Sequence, residues 1–210
     1  MRRELEHFMI GDSYGGNQDW FRTFMMRIGG CGAETACDSS IYFALHRRIP
    51  DICPFDAGHL TQEKYVDFAH QMEKYLWPRM TGIDRLEIYT EGYGKYLRDR
   101  GVWVLSMDVL SGDEPYAMAR SAVRTQIDAG FPIPTLILRH RDPQFEDYVW
   151  HWFLINGYEI PESSEGETDA MLVKAVTYSE YQWLDLKKLW NTGYKRRGGF
   201  IIFKTVDQKK

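Results

Sequence analysis

The chain has 210 residues, 44% of them hydrophobic and 15% aromatic, and a formal net charge of −4. That is enough apolar material for a sizeable core in one domain, and the charge leaves no basic footprint for nucleic acid and no polybasic patch for a membrane surface. No apolar run reaches the length of a bilayer span, and the opening Met1-Arg2-Arg3-Glu4 lacks the apolar core of a secretory signal. Three cysteines, Cys31, Cys37 and Cys53, are odd in number and fit no zinc spacing. They point to a reducing, cytoplasmic setting, with neither metal nor cofactor expected.

In chain order, Glu4 to Arg27 reads as loop, punctuated by Gly11-Asp12-Ser13-Tyr14-Gly15-Gly16-Asn17-Gln18. Ala33 to Arg48 reads as a helix, with Ala33, Cys37, Ile41, Ala44 and Leu45 recurring at steps of three and four, and Ile49-Pro50-Asp51 ends it. Thr61 can cap a second helix reaching about Leu76, with Tyr65, Phe68 and Met72 on one face and Pro78 as its stop. A third helix is expected from about Thr81 to Arg100. Val102 to Leu105 is expected as a strand, and Glu114 to Ala129 as a helix closed by Gly130. Ile133 to Leu138, the run beginning at His151, Leu172 to Tyr178 and Gly199 to Val206 read as strands, with a short helix from Asp185 to Trp190. Helices come first and strands follow. That order predicts an α+β domain with an antiparallel sheet, not a doubly wound α/β fold.

The chemistry centres on Gly29-Gly30-Cys31-Gly32-Ala33-Glu34-Thr35-Ala36. A thiol at a helix start meets the positive dipole end and free amides, which favour the nucleophilic thiolate. Gly30 and Gly32 can permit unusual backbone angles and close substrate approach. The alternative is a small buried thiol beside a glycine-rich helix start. Cys37 and Cys53 read as structural.

His151 heads the apolar run Trp152-Phe153-Leu154-Ile155. Both sides of that strand are apolar, so it is expected to be central and buried, and its histidine needs a hydrogen-bond partner. Gln18, thirteen residues before Cys31 (31 − 18), could supply a side-chain amide for a developing oxyanion together with the Cys31 backbone amide. Tyr178, Tyr181, Trp183 and Trp190 form an aromatic cluster that could line a groove or close over the sheet.

Four pieces in order resemble one family: Gln18 in its loop; Cys31-Gly32 followed by Thr35-Ala36; the turn Gly130-Phe131-Pro132 into a strand; and His151 followed by an apolar strand ending in Gly157-Tyr158. The chain is similar to the papain clan of cysteine peptidases, in particular the bacterial branch of bacteriocin double-glycine leader peptidases. The resemblance covers roughly residues 14–45 and 120–190, with the helices at about 50–100 as an elaboration of a single domain spanning 1–210. It implies a papain-like fold in which the nucleophile helix packs on the antiparallel sheet. Cys31 would be the nucleophile, His151 the general base and then acid, and Gln18 an oxyanion donor.

The family usually orients its histidine with an Asp or Asn on the following strand. Here that position falls at about Thr177, with Ser179 and Glu180 next. The chain is therefore expected to use Thr177, to recruit Glu180, to work as a dyad, or to have lost activity. These implications amount to a cysteine peptidase, amide hydrolase or acyl transferase acting on a peptide or amide, or else a silent papain-like module binding a partner through an aromatic groove.

Overall fold

The computed structural model describes residues 1–79, 82–161 and 169–206. It is an α+β structure built on a seven-stranded antiparallel sheet. The strands of that sheet are β1 (Arg2–Glu4), β4 (Leu105–Ser111), β5 (Ile133–Ile137), β6 (His151–Glu159), β7 (Leu172–Thr177), β8 (Glu180–Asp185) and β9 (Gly198–Thr205), while β2 (Met9–Ile10) and β3 (Ser13–Tyr14) form a separate hairpin. The helices are α1 (Phe24–Gly29), α2 (Cys31–His46), α3 (Gln62–Met72), α4 (Leu86–Asp99), α5 (Tyr116–Asp128) and α6 (Leu186–Trp190). The sheet runs β4-β9-β5-β6-β7-β8, and β1 continues the β5 edge of β6.

Strand β6 is central, with its first eight residues buried, as expected for a strand apolar on both sides. Its first half pairs with β5 from Ile137↔His151 to Ile133↔Ile155, and its second half pairs with β1. Pro134 is tolerated in β5 because pairing with β9 begins only at Thr135. Helix α5 ends as its sequence predicts: Gly130 takes φ +77°, and the Phe131 amide donates back to the Gln126 carbonyl at 2.9 Å.

Helix α2 is the axis of the molecule, every residue from Cys31 to Phe43 being buried. A helix covered on all sides must be made of small residues and self-satisfied polar ones. Thr35, Ser39 and Ser40 each return their hydroxyl to the carbonyl four residues earlier at 2.7–2.8 Å. Helices α3 and α4 occupy the segment expected as an elaboration, and they pack into the same core: Ser40 Oγ meets Tyr93 Oη at 2.8 Å, and Tyr65 Oη donates to Asp38 at 2.7 Å.

Several expected boundaries are corrected. Helix α2 starts at Cys31 and ends at His46, not Ala33 to Arg48, so the thiol is in the first turn rather than before it. Helix α3 stops at Met72, and α4 begins at Leu86; its expected start, Thr81, lies outside the described residues. The strand expected at Val102–Leu105 is Leu105–Ser111 instead, a half-exposed edge strand whose polar residues mask its pattern. The region expected as loop, Glu4 to Arg27, holds the β2–β3 hairpin and most of α1, and β1 ends at its first residue. Helix α1 leaves Phe24 (67%) and Ile28 (59%) exposed, so it carries no buried stripe to betray it. Strand β8 was not expected at all, because the turn before it uses Tyr178 and Ser179 at φ +52° and +64° instead of the usual Asn or Gly.

Neither Gly30 nor Gly32 takes a positive φ. Gly30 is required by close packing: a Cβ there would lie 2.3 Å from the Met26 carbonyl and 2.9 Å from the Phe21 ring. Gly30→Ala should therefore destabilise the protein by about 2 kcal/mol or more, read as a lower denaturation midpoint at unchanged slope. A midpoint equal to wild type would contradict this packing account.

Candidate active site

Cys31 opens α2 directly after α1, with Gly30 between them and no side chain capping the helix. Its sulfur lies against the backbone amides of Trp152, Gly32 and Cys31 itself. The thiol faces a cleft of about 440 Å³ lined mainly by apolar side chains, among them Met25, Ile28, Ile83, Leu138, Trp150 and Trp152. The α4 region shapes this cleft, because Tyr89 stacks on Trp152 at 4.4 Å and Trp152 Nε1 donates to the Ile83 carbonyl at 2.7 Å.

Trp152 lines the cleft, and the ring of its neighbour on β6, His151, meets Thr177. His151 Nε2 lies 2.6 Å from Thr177 Oγ1, and the imidazole stacks face to face on Tyr178 at 4.8 Å and 3°. With Nε2 held there, Nδ1 is the nitrogen left for proton chemistry. Tyr178 is within electrostatic reach of the Cys31 sulfur. The fold thus brings the thiol to within one residue of His151 along β6 and sets Tyr178 near both.

Burial governs the protonation of both groups. Desolvation pushes the Cys31 thiol up to about 11, with nearby Glu34 adding to the rise and the backbone amides opposing it. Desolvation pulls the His151 imidazole down to about 4. The resting pair at neutral pH is a protonated thiol and a neutral imidazole. Burial thus opposes the thiolate that the backbone amides at the helix start favour. Burial holds Cys53 at about 12 and Cys37 well above its ordinary value, and both are packed in the core, in keeping with structural roles.

Gln18 reaches the α1–α2 junction. Its backbone amide donates to Glu34 Oε2 at 3.0 Å, and its Nε2 donates to the Arg27 carbonyl at 2.9 Å. Its Oε1 is buried without a partner, and Gln18 does not line the cleft. Burial, and then Asp38, push the carboxyl of Glu34, one helical turn after Cys31, well above the usual carboxylate range. Sequence reasoning passed over Glu34, a carboxyl on the small-residue face of α2 that fastens the Gln18 loop. Glu180 is exposed and sits across the β7–β8 turn from Thr177, so Thr177 is the residue on the imidazole.

The aromatic cluster splits: Tyr178 and Tyr181 line a cleft of about 260 Å³ with Tyr148 and Thr177, while Trp183 and Trp190 pack elsewhere. Trp190 is buried on Phe200, Trp183 lies under Arg2, Tyr181 packs on Lys174, and only Tyr178 touches His151. Among the described residues no group of three or more His, Cys, Asp or Glu could hold a metal ion, and no helix is long and apolar enough to cross a membrane. No protein-family model matches the chain, and no curated protein matches it.

The depressed His151 value has a stability consequence. Between pH 6.5 and about 4 the unfolded chain binds a proton at this ring and the folded chain does not. Stability from His151 is therefore present above pH 6.5 and lost as pH falls toward 4, on the order of 3 kcal/mol. Denaturation of wild type and His151→Gln at pH 7 and pH 4 should show this extra acid loss in wild type alone. Tyr178→Ala should move the ring's NMR titration midpoint up toward 6.5, and an unmoved midpoint would contradict the shielding role of Tyr178.

Proposed function

We propose that the chain is a papain-like cysteine hydrolase acting on a peptide or other amide in a reducing, cytoplasmic setting. One observation carries the reading. The thiol in the first turn of a buried helix meets the backbone of the very strand whose histidine is held through Nε2 by Thr177. The apolar cleft in front of the sulfur supports it further, because a water-poor site strengthens each polar contact to the reacting carbonyl.

In this mechanism Sγ attacks the substrate carbonyl carbon while its proton passes to His151 Nδ1, so charge develops only as the bond forms. The oxyanion takes the Cys31 amide, while Gln18, its Nε2 held on the Arg27 carbonyl outside the cleft lining, braces the α1–α2 junction behind it. The imidazolium then protonates the leaving amine, and water attacks the acyl-enzyme with His151 again as base. An amine in place of water would give acyl transfer. A second reading, a silent papain-like module that binds through the thiol cleft, is favoured by the protonated thiol and by the absence of a carboxylate on the imidazole.

The test is turnover of a fluorogenic peptide library with mass-spectrometric trapping of the acyl-enzyme. Cys31→Ala should abolish the adduct, and His151→Ala should cost about 10²–10⁴-fold in kcat. Thr177→Val should cost about three- to tenfold, the worth of one neutral hydrogen bond. No turnover and no adduct from any peptide would leave the binding-module reading.

A further inference from the structure

A second cleft, of about 450 Å³, adjoins the thiol cleft and shares Leu138 and Trp150 with it. Its remaining walls come from the exit of β5 and from the loop before β9 and carry Arg139, Arg141, Tyr194, Lys195 and Arg196. Four cations thus line one trough of a chain whose net charge is −4. No carboxylate lines it, and among the described residues only Arg196 has an ion-pair partner, Asp84. A fifth cation, Arg79, lies on the wall of the thiol cleft itself.

The trough is built in, not a chance meeting of surface side chains. The Arg141 amide donates to the Thr192 carbonyl at 2.9 Å, and the Leu138 amide donates to the Arg197 carbonyl at 2.9 Å, fixing its two walls together. Gly193 takes φ +79°, and the Arg141 side chain lies where its Cβ would be, 2.6 Å away. The guanidinium groups fan around two rings: Arg139 and Arg196 lie 5.9 and 6.0 Å from Trp150, and Arg139 and Arg141 lie 5.9 and 5.5 Å from Tyr194. Trp150 itself is in the left-handed region at φ +54° and leaves its ring 44% exposed on the boundary between the clefts. A bulky residue stays in that conformation only where its surroundings enforce it.

We propose that this trough is a specificity subsite that holds an acidic stretch of the substrate peptide while an apolar residue next to the scissile amide fills the thiol cleft. The proposal rests on the cysteine hydrolase reading for the thiol cleft. Unpartnered guanidinium forks match carboxylates two bonds at a time, which selects aspartate and glutamate side chains over neutral ones. Trp150, common to both clefts, marks where the apolar part of the substrate gives way to the acidic part.

The experiment measures binding to the Cys31→Ala protein by fluorescence anisotropy, so that it reads the subsite without needing turnover. The probes are two labelled peptides, each with an apolar core flanked by a run of glutamates in one and glutamines in the other. The glutamate peptide should bind at least about tenfold tighter at low salt, with the preference shrinking as ionic strength rises. An Arg139→Ala/Arg141→Ala background should erase the preference, and Arg139→Lys/Arg141→Lys should keep part of it. These side chains are exposed, so the folded protein should survive the changes, as a circular dichroism melt would show. Equal binding of the two peptides, a preference untouched by the double variant, or displacement by pyrophosphate at lower concentration than by the unlabelled glutamate peptide would each overturn the assignment. If the preference holds while no peptide is ever turned over, the hydrolase reading fails and the subsite stands.

Discussion

Burial of helix α2 on all sides is the constraint from which the rest of the structure follows. A helix with no solvent face has to satisfy its polar groups internally, hence the back-bonded Thr35, Ser39 and Ser40 and the paired acids Glu34 and Asp38. It also has to begin in a confined space, hence Gly30 against the Met26 carbonyl. Cys31 stands at that confined start, so its protonation is set by desolvation more than by the helix dipole. In water the dipole and free amides would favour a thiolate; in this setting the loss of hydration outweighs them.

The same dryness applies to the other half of the pair. His151 sits at the head of a buried central strand, closed over by Tyr178 and held by a hydroxyl instead of a carboxylate. A hydroxyl can fix the ring without stabilising its cation, which suits an imidazole that stays neutral until a proton arrives from sulfur. Thr177 and Tyr178 are adjacent in sequence, and the positive φ of Tyr178 is what turns the chain so that one residue bonds the ring's edge and the next covers its face.

The α+β class could be read from the order of helices and strands, and the central position of β6 from its two apolar sides. Cys31, His151 and Thr177 stood out because turns and strand registers are local, and local chemistry is visible in a sequence. Strand β8 is hidden because Tyr178 and Ser179 make its turn without glycine or asparagine, and α1 because Phe24 and Ile28 face outward and only Met26 is buried. The partnership of Glu34 with Gln18 and the basic trough beside Trp150 join residues far apart in the chain. Arg139, Arg141 and Arg196 look like scattered surface charges until β5 and β9 pair and bring them to one trough.

In the proposed hydrolase, Cys31 and His151 work as one unit in a dry site. Iodoacetamide labelling near neutral pH, resolved cysteine by cysteine in wild type and His151→Ala, tests it most directly. Cys31 should react ahead of Cys37 and Cys53, and its rate should fall when the imidazole is removed. Equal labelling of the three thiols, or a Cys31 rate indifferent to His151→Ala, would contradict it.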